Sequence, residues 1–391
     1  TAYCLLPTVK SLTILGSTGS IGGQVLDVVA EHPERLRVLA IAGRNRERLA
    51  AQARRFAVPL VGIAADAGAD AGASPAGFPD GTRVLWGHHA LEQLATHPEA
   101  DVVVVATVGR AGLDATLAAV RAGKRVAIAN KEVLVMAGAV LTAEAAAHGA
   151  TIVPIDSEHS ALWQCLLGED RGGIGALLLT ASGGALRDRD PTTLAGITPE
   201  EALRHPTWVM GPKITVDCAT LMNKGLEVME AHWLFDVPME RIRVVLHPSS
   251  VVHALVQFRD GTLKAQLGVP DMKVPIQFAL SYPERWTAAA PALDLVAASP
   301  LVFAEPPPGR YPCLDLALHA GLLGGTYPAV LCGADEVAVE LFLQRRIRFT
   351  DIPHLIEATL ERHVPGDERD FEQIIAADAW AREECRRRAA V

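Results

Sequence analysis

The sequence lacks several features that mark specialised classes of protein. Its six cysteines include no CxxC pair, which argues against a zinc site or a disulfide framework and is typical of reduced thiols in a cytosolic enzyme. No block of lysine and arginine breaks a chain of formal net charge −9, so nucleic acid is not an expected partner. Apolar runs such as residues 102–106 have the length of a strand, far short of the roughly 20 residues that span a bilayer. These absences predict a cytoplasmic protein that partners neither nucleic acid nor a membrane.

Two stretches carry little information. The opening TAYCLLPTVK lacks the charged and longer apolar segments of a signal peptide, and we interpret residues 1–10 as a short extension ahead of the first strand. Residues 64–81 are rich in Ala, Gly and Asp and predict a surface loop without chemistry. The remainder of a 391-residue chain, half of it hydrophobic, is long enough to build two or three domains.

Strand and helix patterns alternate over the amino-terminal part of the chain. This alternation predicts an α/β fold, a doubly wound parallel sheet of the Rossmann-like kind, over residues 11–155. Residues 156–286 mix strand patterns with loops rich in Gly, Pro and His, which indicates an α+β domain. Residues 287–312 are rich in Ala and Pro and read as a linker, and residues 313–391 are helical in pattern.

A glycine-rich turn, GSTGSIG, follows the first strand. Its glycines permit a tight turn, and the helix that begins after it presents free N–H groups to a pyrophosphate. The spacing is GxxGxxG rather than GxGxxG, so a merely structural turn is the alternative. The second strand ends in Gly43-Arg44-Asn45, where an NAD enzyme usually carries Asp or Glu. Because Arg44 suits a 2′-phosphate instead, the sequence predicts NADPH as cofactor.

Two later strands also end in polar residues. ANKE follows residues 126–128, so Lys131 should lie at the carboxyl edge of the sheet near the nicotinamide, with an exposed lysine as the alternative. Asp156 and Glu158 follow residues 151–155. If the extended conformation continues, both side chains point the same way and could share one divalent cation, although an ordinary solvated acidic turn is the alternative.

A third carboxylate follows in HPTWVMGPKITVDCATLMNKGLE. Trp208 and Met210 read as exposed residues of a mobile flap over 205–213, although such side chains taken alone are more often core. Asn223 and Glu227 lie one turn apart if the segment is helical. Glu227 would complete the oxygen ligands of a Mg²⁺ or Mn²⁺ site.

Taken together, the motifs resemble one known family. GSTGSIG, ANKE, IDSEHSA, ASGG, HPTW, MNKGLE and HPSSVVHALV occur in the order found in the 1-deoxy-D-xylulose-5-phosphate reductoisomerases, and the resemblance covers nearly the whole chain. It implies an oxidoreductase of isoprenoid precursor biosynthesis that uses NADPH and one divalent cation. Such an enzyme isomerises a phosphorylated ketose and reduces it to 2-C-methyl-D-erythritol 4-phosphate. The resemblance also implies a homodimer.

The resemblance assigns roles to individual residues. The implied catalytic residues are Lys131, Asp156, Glu158 and Glu227, of which the three carboxylates would hold the metal. Substrate oxygens and phosphate would contact Lys131, Ser157, Glu158, Ser182, His205, Cys218, Asn223, Lys224, Glu227 and Ser250, with Trp208 and Met210 on the flap. NADPH would contact Gly16, Thr18, Gly19, Ser20, Ile21, Gly43, Arg44, Asn45, Asn130, Glu132 and Gly211.

Three positions depart from the family pattern. Cys218 stands where a phosphate-contacting serine is usual, which puts one phosphate contact in doubt. Pro212 sits inside the flap. The segment 331–336, LCGADE, replaces a more usual asparagine-containing segment, and we expect it to affect packing only.

Two other functional classes remain open from the sequence. A simple NADP-dependent dehydrogenase of the homoserine or semialdehyde kind would share the amino-terminal fold, but it would need neither three carboxylates nor a flap. A nonenzymatic NADPH-binding sensor would retain Arg44 but would have no reason to keep Lys131, Glu158 and Glu227. Metal dependence separates the first from a reductoisomerase, and absence of turnover identifies the second.

Overall fold

The described residues of the computed structural model form two compact units. The structure describes residues 9–64, 77–87, 89–287 and 290–390. The first unit consists of the described residues up to Val133, together with Ala143–Asp156 and Asp271–Ala290. The second unit consists of Leu134–Thr142, Ser157–Pro270 and the described residues from Pro291 onwards. The division of the chain into four segments stays a prediction. Residues 1–8 of the opening segment and 65–76 of the Ala/Gly/Asp stretch lie outside the described residues.

The first unit is built on a parallel sheet. Its strands in chain order are β1 Lys10–Leu15, β2 Leu36–Gly43, β3 Leu60–Ile63, β4 Arg83–Trp86, β5 Val102–Val105, β6 Arg125–Ile128 and β7 Thr151–Pro154. The spatial order is β4-β3-β2-β1-β5-β6-β7, and all the pairings are parallel. The order reverses between β1 and β5, and in such sheets ligands bind beyond the carboxyl ends of the strands at that point.

Helices lie between most of these strands, and one further helix of the unit comes later in the chain. They are α1 Ser20–Glu31, α2 Arg46–Phe56, α3 Ala90–Ala95, α4 Leu113–Arg121, the ends of α5 Lys131–His148, and α10 Lys273–Ser281. All four valines of β5 are buried. Burial of successive residues is expected for a strand covered on both faces, and the predicted doubly wound fold is therefore confirmed.

The second unit contains a smaller mixed sheet. Its strands are β8 Ile174–Ala181, β9 Ile242–Leu246, β10 Val252–Phe258 and β11 Leu263–Leu267. Their order is β11-β10-β8-β9, with β8 and β9 parallel and the other pairs antiparallel. The helices around it are α6 Ser157–Cys165, α7 Pro199–Ala202, α8 Pro212–Thr220 and α9 Met222–Phe235. Leu162 of α6 and Val228 of α9 share one buried cluster with Leu177 of β8, which fixes both helices on the sheet.

A helical segment ends the second unit, as the sequence predicts. Its helices are α11 Pro312–Leu323, α12 Tyr327–Leu343, α13 Asp351–Leu360 and α14 Phe371–Ala389. Before them, Ala304 pairs with Leu246 at the end of β9. Across the described parts of the chain, the helices are too short or too polar to pass through a membrane.

Candidate active site

The glycine turn after β1 needs glycine at its first and last positions. Gly16 has φ +88°, and a Cβ there would lie 2.4 Å from the Ala106 carbonyl oxygen at the end of β5. A Cβ on Gly22 would lie 2.3 Å from the Gly16 carbonyl oxygen, so α1 packs closely on the turn. Gly19 is the N-cap of α1 and brings no side chain over the amides of Ser20 and the residues after it. The turn is therefore both structural and open to an anionic ligand.

The end of β2 places Arg44 at the surface beside this turn. Thr18 packs against Gly43, since its Oγ1 lies 2.8 Å from where a Cβ on Gly43 would stand. Arg44 is exposed. Asn45 caps α2 by accepting a hydrogen bond of 3.0 Å from the Arg48 amide, so it has a structural role besides its predicted one. Arg48 also donates to the Thr18 carbonyl at 3.2 Å, a contact that sequence reasoning missed.

Asn130 presents a buried acceptor at the end of β6. Its Nδ2 donates to Thr107 Oγ1 at 3.1 Å and to the Gly109 carbonyl at 2.8 Å. Its Oδ1 is buried and has no hydrogen-bond partner among the described residues. Leaving a buried amide oxygen unsatisfied is costly, so the site suits a ligand that donates there. Together with the glycine turn and Arg44, this acceptor makes the unit a fit for a dinucleotide.

The acidic cluster forms in a different way from the one that the sequence predicts. The extended backbone ends at Pro154, and α6 begins at Ser157, so Asp156 and Glu158 are not alternate residues of one strand. The turn into α6 nevertheless brings them together. One carboxylate oxygen from each of Asp156, Glu158 and Glu227 lies within 4.8 Å of the others.

Two buried lysines offset most of the negative charge of these three carboxylates. Lys131 begins α5, and its Nζ lies 2.6 Å from Asp156 Oδ2. Lys224 Nζ donates to Glu158 Oε1 at 2.9 Å and also to Glu227. Burial alone would lower the pKa of Lys224, but the charges of Glu158 and Glu227 raise it well above its ordinary value. The ammonium is therefore held in its charged form among the carboxylates.

Neutral groups orient the same oxygens. Asn223 Nδ2 donates to Glu227 Oε1 at 2.7 Å, which confirms the predicted helical spacing in α9. Ser157 Oγ donates to Glu158 Oε2 at 2.5 Å. Glu132, on the first turn of α5, is half-buried. The oxygens of the three acids, each held by a neighbouring donor, match the hard ligands that Mg²⁺ and Mn²⁺ prefer.

Sequence reasoning missed two residues that lie next to the carboxylate cluster, His159 and Glu230. His159 Nε2 lies 2.9 Å from the Glu227 carbonyl oxygen, and its Nδ1 lies 3.5 Å from Glu230 Oε2. Both residues are fully buried. Atoms of Asp156, His159 and Glu230 also lie within 4.8 Å of one another and form a second possible ligand set. We favour the three carboxylates because Mg²⁺ prefers oxygen ligands to imidazole nitrogen.

His205 connects the predicted flap to Ser182. Its Nδ1 accepts hydrogen bonds from the amides of Thr207 at 3.2 Å and Trp208 at 3.0 Å. The proton of the neutral ring is therefore assigned to Nε2, which donates to Ser182 Oγ at 2.9 Å. Burial lowers the pKa of His205 to about 4, so the ring stays neutral at physiological pH.

Two segments that carry other predicted phosphate residues meet the loop after β8 that contains Ser182, which we call the Ser182 loop. Gly184 has φ +69°, and a Cβ there would lie 2.4 Å from the Cys218 carbonyl oxygen, so the loop touches α8. The His247 amide donates to the Ala181 carbonyl at 2.7 Å, which brings the HPSS segment to the same loop. Ser250, in that segment, is buried. The structure places Lys224 with the carboxylates, and its contact with phosphate stays a prediction.

In the predicted flap, the prediction that Trp208 and Met210 are exposed was wrong. Trp208 and Met210 are half-buried, whereas Val209 between them is 98% exposed. The half-buried Trp208 and Met210 therefore define the protected side of this segment, and Val209 faces solvent. Gly211, after them, is exposed.

Comparisons with known proteins agree along the whole chain. The family model described as 1-deoxy-D-xylulose 5-phosphate reductoisomerase matches residues 12–138, and the model of that enzyme's C-terminal domain matches residues 152–235. A third model, described as DXP reductoisomerase C-terminal domain, matches residues 267–384. The chain is 53% identical to the 1-deoxy-D-xylulose 5-phosphate reductoisomerase of Thermomicrobium roseum, with 95% of each chain covered. The chain belongs to the 1-deoxy-D-xylulose 5-phosphate reductoisomerase family.

Solved structures of reductoisomerases share this fold. A crystal structure of DOX-P reductoisomerase with NADPH, fosmidomycin and magnesium is 41% identical, covers 98% of both chains and gives a TM-score of 0.92. The reductoisomerase of Zymomonas mobilis with NADPH is 38% identical, covers 98% of this chain and 99% of its own, and gives a TM-score of 0.89. These matches confirm the fold class.

The structure locates the three departures from the reductoisomerase pattern. Cys218 lies on α8 and is half-buried. Pro212 is the first residue of α8, a position that favours proline, so it begins a helix rather than lying inside the flap as expected. Asp335, in the segment expected to affect packing only, is fully buried and lies 2.7 Å from Lys213 Nζ. It therefore takes part in an ion pair as well as in packing.

Proposed function

We propose that this protein converts 1-deoxy-D-xylulose 5-phosphate to 2-C-methyl-D-erythritol 4-phosphate with NADPH and one divalent cation, a step in isoprenoid precursor biosynthesis. The observation that carries the proposal is the cluster of Asp156, Glu158 and Glu227, with lysines held charged among its oxygens. The relatives named above carry the same activity in their names, and two related structures hold NADPH.

The residues of the cluster would bind and orient the substrate. A divalent cation held by the three carboxylates supplies stabilisation of negative charge that develops on oxygen, and NADPH supplies the hydride. Lys131, Ser157 and Asn223 contact the oxygens of the three carboxylates. These three residues would hold the hydroxyl and carbonyl groups of the ketose. Because Lys131 and Lys224 are already ion-paired, their charges are positioned before the substrate arrives.

The flap residues would close the site. Neutral His205 would donate to the substrate phosphate through the Nε2 proton that it now gives to Ser182. Trp208 follows His205 by three residues, so binding at His205 would draw the protected side of the flap over the substrate. Closure of this kind excludes water and retains a reactive aldehyde.

An absorbance assay tests the proposed function. The protein, 1-deoxy-D-xylulose 5-phosphate, NADPH and Mn²⁺ are mixed, and loss of nicotinamide absorbance is followed with and without a chelator. We expect turnover that requires both the phosphoketose and the cation. Turnover that survives complete removal of the cation would favour a simple dehydrogenase, and absence of any turnover would favour a nonenzymatic sensor.

Cofactor choice depends on Arg44 in this proposal. Charge-assisted hydrogen bonds to the 2′-phosphate are worth roughly 1.5–3 kcal/mol, so Arg44→Ala should weaken NADPH binding about tenfold to a hundredfold and leave NADH binding nearly unchanged. Fluorescence titration with both cofactors measures the difference. Arg55→Ala, which removes the same charge from the last turn of α2, is the control. An equal loss for both cofactors would place Arg44 away from the 2′-phosphate.

At Cys218, a substitution is expected to improve substrate binding rather than to weaken it. A thiol is a weaker donor than a hydroxyl, so Cys218→Ser should lower KM severalfold with little change in kcat. Substrate should also protect Cys218 from alkylation, because bound phosphate disfavours the thiolate. Steady-state kinetics and mass spectrometry of the alkylated protein measure these effects. An unchanged KM together with no protection would place Cys218 outside the phosphate site.

Two broader properties are proposed from the resemblance and the composition. We propose a homodimer, which sedimentation analysis of the purified protein tests directly. We also propose a cytoplasmic location, because the cysteines of the described residues are all free thiols and the five include four buried ones. Fractionation of the source cells checks the location.

A further inference from the structure

A buried ion-pair cluster lies where the flap joins α8. Lys213 is the second residue of α8, and its Nζ lies 2.6 Å from Asp217 Oδ2 and 2.7 Å from Asp335 Oδ2. Asp217 is one turn further along α8, whereas Asp335 belongs to α12 in the helical segment. Both aspartates are buried, at 2% and 0% exposure, while Lys213 keeps partial access to solvent. One lysine therefore joins two helices that are remote in the sequence.

A third helix and further charges border the cluster. Burial, together with the charges of Asp335 and Asp217, raises the pKa of Cys313 on α11 well above its ordinary value. Glu336, next to Asp335, pairs with Arg382 of α14 at 2.7 Å. Burial opposes ionisation of Glu336, but Arg382 and then Lys213 lower its pKa. Carboxylates buried in this way depend strongly on their cations, and removal of a cation is costly.

The carboxyl end of the flap is hydrogen-bonded to the first turn of α8, the turn that contains Lys213. Thr215 donates to the Gly211 carbonyl from its amide at 3.1 Å and from its Oγ1 at 2.8 Å. Gly211 is the N-cap of α8 and the last extended residue of the flap. The position of the flap's carboxyl end is thus set by the first turn of α8, and that turn is held through Lys213.

We propose that Lys213 and Asp335 are positioning residues whose ion pair anchors the carboxyl end of the flap to α12. Asp335 contacts Lys213, and through that lysine it would set how the flap meets the substrate. This inference rests on the proposed function for its kinetic consequence. The anchoring itself is independent of turnover.

Variants at Asp335 separate anchoring from general stability. Asp335→Leu keeps the Lys213–Asp217 pair on α8 but removes the link to α12, whereas Asp335→Asn keeps an acceptor for Lys213. Asp335→Ala is a second variant without an acceptor, for use if leucine prevents folding. Arg382→Met is the matched control, because it removes the cation from buried Asp378 and from Glu336 while both aspartates that pair with Lys213 remain.

Tryptic cleavage after Arg204 reports on the flap in the absence of substrate. Arg204 is exposed and precedes His205 at the flap's amino end. We expect cleavage about tenfold faster in Asp335→Leu, a KM for the phosphoketose raised about tenfold, and kcat little changed, since one charge-assisted contact is lost. Asp335→Asn should remain close to the parent, and Arg382→Met should lower Tm while leaving cleavage and KM near parent values.

The outcomes distinguish this inference from the proposed function. Parent-like cleavage in folded Asp335→Leu and Asp335→Ala would overturn the anchor, as would equal effects of Arg382→Met at equal loss of Tm. Failure of the parent to turn over the phosphoketose would overturn the proposed function alone, because ligand-free cleavage would still measure the anchor.

Discussion

Glu227→Gln is expected to lower kcat by at least about two orders of magnitude, the range found when one charge-stabilising group is lost from an active site. The substitution keeps the size of the side chain and one acceptor for Asn223, which now donates to Glu227 Oε1 at 2.7 Å. It removes one of the three negative charges that would hold the cation. Single-turnover kinetics at saturating NADPH and substrate, over a range of Mn²⁺ concentrations, measures the loss.

Glu230→Gln is the matched control for this prediction. Glu230 lies on the same helix, is equally buried, and belongs to the alternative ligand set with Asp156 and His159. If the three carboxylates hold the cation, Glu227→Gln should weaken Mn²⁺ binding, measured by titration without substrate, far more than Glu230→Gln does. The reverse order would assign the metal to the set that contains His159.

Lys224→Met is expected to destabilise the metal-free protein by about 3–5 kcal/mol, because it leaves Glu158 and Glu227 without the cation between them. Lys224 is 3% exposed, so solvent screens its ion pairs little. Urea denaturation in the presence of a chelator measures the change in free energy of unfolding. Added Mn²⁺ should recover part of the loss, since a bound cation supplies positive charge at the same oxygens.

Lys264→Met provides the comparison for Lys224. Lys264 pairs with Glu169 at 2.9 Å, but both side chains are about two-fifths exposed, and such surface pairs contribute at most about 1 kcal/mol. Equal losses from the two substitutions would mean that Lys224 is not an essential counter-ion. A loss at Lys224 that Mn²⁺ does not reduce would separate that lysine from the metal site.

Local patterns in the sequence predicted the elements that bury continuous apolar faces. The valine run of β5 and the strands on either side were predicted because a strand covered on both faces is apolar throughout. The strands β3, β4 and β11 were missed, because β4 and β11 contain no buried residue and Gly62 interrupts the apolar run of β3. The beginning of α6 at Ser157 was also missed, and the geometry given for Asp156 and Glu158 was wrong for that reason.

The site was predicted best where its residues share one helix. Asn223 and Glu227 are one turn apart on α9, and the same spacing could have indicated Glu230, three residues further on. The pairing of Lys224 with Glu158 and of Lys213 with Asp335 joins residues that are distant in the chain. Such contacts depend on how helices pack, and no pattern within a single segment encodes them.

Product analysis with labelled substrate tests the central claim most directly. 1-Deoxy-D-xylulose 5-phosphate labelled with carbon-13 at carbons 3 and 4 is converted with NADPH and Mn²⁺, and the product is examined by carbon NMR. A reductoisomerase breaks the bond between these carbons, so their one-bond coupling should disappear and carbon 3 should become a primary alcohol carbon. A reduced product that retains the coupling would show reduction without rearrangement and would contradict the account.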